Sequence, residues 1–79
     1  MEKLQLNYDA DYYYNKGVDL ADGGQSEKAV YYYYRSLSLE PYNPWTMAEI
    51  GMCYYDLRMY DEAVVWFNRA LCHDKNCTA

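Results

Sequence analysis

The chain has little of what most functional classes require. Its 79 residues include one histidine, three cysteines, two prolines, four glycines and seven basic residues against twelve acidic ones. With His73 alone, no nucleophile in an elbow motif and no glycine-rich phosphate loop, there is no acid–base or nucleophilic constellation, so an enzyme is not expected. Gly23-Gly24 reads as a helix break. The formal charge of −5 opposes attraction to phosphate backbones and anionic bilayers, which argues against nucleic acid and membrane surfaces as partners. No apolar run approaches the ~18 residues of a membrane span. The stretch Met1-Glu2-Lys3-Leu4-Gln5-Leu6-Asn7 also lacks the apolar core and cleavage site of a secretory leader. The expectation is a soluble, cytoplasmic chain.

Cys53, Cys72 and Cys77 are an odd number at spacings unlike a disulfide framework, so three free thiols in a reducing compartment are expected. Cys72, His73 and Cys77, with Asp74 as a weak fourth group, fall short of the paired ligands that zinc requires, so neither metal nor cofactor is expected. Cys53 follows Met52 in an apolar stretch and reads as a small buried hydrophobe.

What the chain has in excess is tyrosine, twelve in all, four of them consecutive from Tyr31 to Tyr34. A helix turns about 100° per residue and a strand alternates faces, so neither can point four consecutive rings at one core. The size sharpens the question. A single domain this short buries only roughly 60% of its unfolded surface and depends on repetition, partners or staples.

Repetition is present. Gly17 and Gly51 lie 34 residues apart, and the same offset links Ala29 to Ala63, Tyr33 to Phe67, Ser36 to Ala70 and Leu37 to Leu71. Periods of this size mark stacked helical hairpins. In the first copy a helix from about Ala10 to Asp22 carries Tyr13, Gly17 and Leu20 on one side. Gly23-Gly24 then breaks the chain, and Ser26, followed by Glu27, is the expected N-cap of a second helix to Glu40. Pro41 cannot continue that helix, which makes "EPYNP" the connector. In the second copy Asn43 or Pro44 starts a helix to about Leu57, with Met47, Ile50, Gly51 and Tyr54 on one face. Arg58-Met59-Tyr60 forms the turn. Asp61-Glu62 places negative charge where the next helix dipole favours it, and Ala63, Val64, Phe67, Ala70 and Leu71 form a stripe ending near His73. Interior glycine costs ~1 kcal/mol relative to alanine, so its recurrence predicts close helix approach, with Ala29 and Ala63 as the facing small residues.

The series Tyr13, Gly17, Leu20, Ala29, Tyr33, Pro41 and its second copy Met47, Gly51, Tyr54, Ala63, Phe67 resembles the tetratricopeptide repeat, over about Ala10 to Asn76. Lys16, where an apolar residue is commoner, and Lys75, in place of the closing proline, depart from the pattern. The resemblance implies an all-α, right-handed stack of two hairpins. The expected organisation is an N-terminal flank (1–9), a first repeat (10–43), a second (44–76) and a short tail (77–79).

By their matches, Tyr33 belongs in the core and Tyr32, equivalent to Trp66, touches a neighbouring hairpin. Tyr31 and Tyr34, equivalent to Val65 and Asn68, point outward. The resemblance also implies a peptide-binding concave face lined by the first helix of each hairpin. Carried over residue by residue, it comprises Asp11, Tyr14, Asn15, Val18, Ala21 and Asp22, then Trp45, Ala48, Glu49, Met52, Tyr55 and Asp56. A carboxylate-gripping groove would need basic donors, and here only Asn15 is available, so the expected ligand mixes Lys or Arg with apolar residues. The alternative is self-association through uncovered apolar surface around Met59, Val64 and Trp66, with Tyr31, Tyr34 and Val65 as an outer patch, giving a homo-oligomer.

Overall fold

Asp9 opens the first helix by accepting a hydrogen bond from the Tyr12 N–H at 2.9 Å. In the computed structural model, which describes residues 8–72, this helix, α1, spans Ala10–Asp22. It is followed by α2 (Ser26–Leu39), α3 (Pro44–Asp56) and α4 (Tyr60–Cys72). The fold is all-α among the described residues, and each helix packs on its chain neighbours: α1 on α2, α2 on α3, α3 on α4. None of these helices is long and apolar enough to cross a membrane.

The boundaries follow local chemistry. The Asn43 carboxamide accepts from the N–H groups of Trp45 and Thr46, and Pro44 occupies the first turn, where no N–H is needed. Ser26 is not the cap that its sequence position suggests. Gln25 is the cap residue, with no side-chain bond, because its carbonyl accepts the first helical bond, from the Ala29 N–H at 3.0 Å. Helix α2 therefore starts at Ser26, whose side chain is buried. The turn inside each hairpin uses one left-handed residue at equivalent places, Gly24 (φ 83°) and Arg58 (φ 67°). Glycine adopts this conformation freely and arginine does not.

The core runs through both hairpins: Ala29, Val30, Tyr33, Ile50 and Cys53, with Tyr14, Val18, Leu37, Tyr54 and Trp66 packed around it. The expected close approach is present, but what faces each glycine is an aromatic ring. A Cβ on Gly17 would lie 2.5 Å from the Tyr33 ring, and one on Gly51 would lie 2.7 Å from the Phe67 ring. The buried Ser36 hydroxyl donates to the Ala10 carbonyl at 2.9 Å, tying α2 to the start of α1.

Tyr33 is fully buried and its hydroxyl has no hydrogen-bond partner. The second copy carries phenylalanine at this position. Tyr33→Phe removes the unpartnered oxygen and leaves the ring, so it should raise stability by about 1 kcal/mol. Paired urea melts check this; a loss of stability would mean that the hydroxyl does find a partner in solution.

The expectation of three free thiols is corrected at Cys72, which is disulfide-bonded; its counterpart lies outside the described residues. Cys53 is free and buried as expected, because the core encloses it. Cys72 sits in the last turn of α4, where packing does not isolate it. The cysteine count therefore no longer argues for a reducing compartment. Cys77, His73, Asp74 and Lys75, the residues of the zinc alternative and of the repeat's last departure, lie outside the described residues.

Candidate interaction surface

Helices α1 and α3 each turn one polar-aromatic face away from their hairpin partners. Asp11, Tyr14, Asn15, Val18, Ala21 and Asp22 fall within one arc of α1, and Trp45, Ala48, Glu49, Met52, Tyr55 and Asp56 within the equivalent arc of α3. The two arcs adjoin: the Tyr14 hydroxyl donates to the Glu49 carboxylate at 3.5 Å. Val18, Ala21 and the Tyr14 ring form the floor, half-buried against the core. Trp45, Met52 and Tyr55 stand more than half exposed above it. Asp11, Asn15, Asp22 and Asp56 are exposed and Glu49 is half-buried, so no side chain of this face carries positive charge. Tyr55 meets Tyr60 edge-on at 5.3 Å, which steadies one end of the surface. Burial and the nearby Glu49 carboxylate raise the pKa of Tyr14 and keep it a neutral donor.

Next to Trp45 the connector forms a shallow recess of about 440 Å³, lined by Glu40, Pro41, Tyr42, Asn43 and Trp45. Tyr42 is among the most exposed large side chains of the chain. Periodicity gives no hint of it, because the connector has none; the exposed aromatic in "EPYNP" was the available signal.

The residues expected to form a self-association patch are not brought together. Tyr34 is exposed, as expected, but it is also engaged. Its hydroxyl shares a 2.7 Å hydrogen bond with that of Tyr54, and its ring meets Trp66 edge-on at 5.7 Å, so it joins the two hairpins. Trp66 accordingly faces back toward the first hairpin, with the Arg69 guanidinium 4.7 Å above its ring, and does not line the open end. Val64, Val65 and Met59 are exposed.

Tyr32, the equivalent of Trp66, likewise faces back, but no hairpin precedes it among the described residues. Tyrosines gather there instead. Tyr8 stacks on Tyr12 at 4.0 Å, Tyr12 meets Tyr13 edge-on, Tyr13 stacks on Tyr32, and Tyr31 meets Tyr32 edge-on. Arg35 lies over the Tyr13 and Tyr31 rings and donates to both hydroxyls at 3.2 and 3.3 Å. The run of four tyrosines thus divides three ways: Tyr33 into the core, Tyr34 into the junction, Tyr31 and Tyr32 into the cluster at the N-terminal end.

Comparison with known proteins agrees with this architecture. A tetratricopeptide repeat family model matches residues 10–43 and 46–71. An uncharacterized protein of Methanocaldococcus jannaschii is 33% identical over 69 residues, which is 87% of this chain and 80% of that protein. No solved structure matches.

Proposed function

From the premise that this chain belongs to the tetratricopeptide repeat family, whose repeats mediate protein–protein interaction, we propose that it is a non-catalytic module binding a peptide across α1 and α3. The observation that carries the reading is the exposure of Trp45, Met52 and Tyr55 on one helix face, bordered only by acidic and neutral side chains. Aromatic and methionine side chains give large contact area for little lost rotamer freedom, while Asp11, Glu49 and Asp56 steer a basic partner. The ligand is a segment mixing Lys or Arg with Leu or Phe. It lies along Tyr14, Asn15 and Val18 and ends over Trp45, whose neighbour Glu40 receives a basic side chain.

Peptides of that composition should bind more tightly than acidic-tailed ones and should weaken as salt rises. Trp45→Ala should reduce affinity by about 2 kcal/mol, roughly 30-fold. Titration calorimetry at two ionic strengths checks both. Preference for a peptide ending in several acidic residues would overturn the reading.

A second reading, association of like chains, is favoured by a separate observation, the exposure of Val64 and Leu71 where their first-copy equivalents Val30 and Leu37 are covered.

A further inference from the structure

We propose that two copies of this chain pair antiparallel through α4 about a two-fold axis, with Tyr60, Val64, Phe67 and Leu71 as the contact stripe. The inference rests on the self-association reading and specifies its geometry.

The internal repeat supplies the argument. On α2, Ser26, Val30, Tyr33 and Leu37 share one side, on which Val30 and Tyr33 cluster with Ile50 and Cys53 of α3 and the Tyr33 ring also meets Gly17 of α1; the first three are 7%, 8% and 0% exposed, and Leu37 is half-buried. Their equivalents 34 residues on are Tyr60, Val64, Phe67 and Leu71. Tyr60, Val64 and Leu71 are 50%, 56% and 77% exposed, and Phe67 is half-buried where Tyr33 is enclosed. The same face of the same hairpin element is apolar in both copies, and in the second it lacks a covering helix among the described residues. Spacings of four, three and four residues are those of a seam between helices at a shallow angle.

What can cover it is constrained by what α3 brings to α2. The α3 residues on that side are Thr46, Ile50 and Cys53, all buried and uncharged. The corresponding face of α1, the open one at the other end of the stack, carries Tyr12, Lys16 and Asp19 at the equivalent positions, and Lys16 and Asp19 are exposed. Lys16, which departs from the family pattern, is thus a residue of an end face. Head-to-tail stacking would press Lys16 and Asp19, opposite charges three residues apart on α1, against Val64 and Phe67, and taking that pair out of water opposes it.

The α4 stripe itself contains no charge and is self-complementary. With the axis midway between Val65 and Trp66, Val64 of each copy meets Phe67 of the other and Tyr60 meets Leu71. Each pair sets a larger side chain against a smaller one. A two-fold contact uses the face once and closes at the dimer. One face of a 13-residue helix is small for a permanent interface, so the dimer is concentration-dependent. Each chain carries −5, so pairing is strengthened by salt, whereas peptide binding in the groove is weakened by it.

Sedimentation equilibrium from about 10 to about 500 µM tests this, at low and high salt. The expected mass rises from 9.4 kDa to twice that value and stops there. Val64→Lys and Leu71→Lys, both at exposed positions, should keep the mass at 9.4 kDa with unchanged helix content and melting temperature, while Lys16→Glu should still dimerise. A constant monomer mass would overturn the pairing and the self-association reading together. Growth beyond the dimer that Lys16→Glu abolishes would leave self-association standing and overturn the two-fold geometry. A Val64→Lys protein that is folded and still dimeric would show that another surface is used.

Discussion

Replacing Gly17 with alanine will destabilise the domain by about 2 kcal/mol or more, and the same replacement at Gly51 will have a much smaller effect. Both sites stand against an aromatic ring at distances no Cβ tolerates, 2.5 Å from Tyr33 and 2.7 Å from Phe67. The difference lies in what the ring can do. Tyr33 is fully enclosed, with α3 over it, so the added methyl must push the helices apart. Phe67 is only half-buried, on a side of α4 that no described helix covers, which leaves it room to swing outward. At Gly51 that adjustment is offset by the ~1 kcal/mol that alanine gains over glycine inside a helix. Urea melts of the two variants measure the difference, and Asn68→Lys, at an exposed position of α4, should melt like the parent. Gly51→Leu exceeds what an outward swing can absorb and should unfold the second hairpin. If Gly17→Ala and Gly51→Ala melt together, enclosure by the next hairpin is not what fixes Tyr33.

That asymmetry marks the limit of what a repeat reveals in a sequence. The 34-residue offset and its matched residues made the hairpins legible, and "NPW" and the Gly23-Gly24 break located helix ends closely. The candidate groove was legible for a similar reason, since a face of a helix is fixed by spacing once its partner face is known. What the offset does not carry is direction along the stack. Tyr34 is exposed, as its match to Asn68 suggests, yet it also bonds Tyr54 of the next hairpin, while among the described residues Asn68 has no later hairpin to meet. Trp66 looked like part of the open end, yet it turns back onto Tyr34. Lys16 looked like a departure and is a residue of an end face. Equivalent positions share a place within the hairpin but not a neighbour beyond it, and the neighbour decides burial. Ser26 failed as a cap for a different reason. The turn brings the Gln25 carbonyl to the first helical bond, from the Ala29 N–H, so the cap position falls one residue before Ser26, and residue type does not reveal that shape.

Raising the pH above 9 should unfold this protein well before the generic alkaline range of small helical domains. Four acidic groups with neutral protonated forms are buried or half-buried in the two hairpins, and each is shifted the same way. Burial, reinforced by Asp56 and Glu49, pushes the Cys53 thiol from 9.0 up to about 11. Burial and the hydrogen bond to Tyr34 push Tyr54 from 10.0 up to about 12. Tyr33 and Tyr14 are raised as well, chiefly by burial and then by Glu49. For such groups the folded state holds its proton after the unfolded chain has released it. Stability is therefore complete below the unfolded value, falls as pH climbs past about 9 for Cys53 and past 10 for the tyrosines, and goes on falling until the folded values are reached. Two pH units at Cys53 alone correspond to about 2–3 kcal/mol. A chain of 79 residues has on the order of 4–12 kcal/mol in total, and the tyrosines add to the loss. The melting temperature should thus decline steeply between pH 9 and 11. Ionisation of Tyr14, Tyr33 and Tyr54 should accompany the loss of helical dichroism. Cys53→Ala should delay the onset by about one pH unit, because the first group to ionise in the unfolded chain is then gone. Full helix content at pH 11, with Tyr14, Tyr33 and Tyr54 ionised, would mean that these three are reached by water and that the packing between the hairpins is looser than the Tyr34–Tyr54 and Tyr14–Glu49 contacts require.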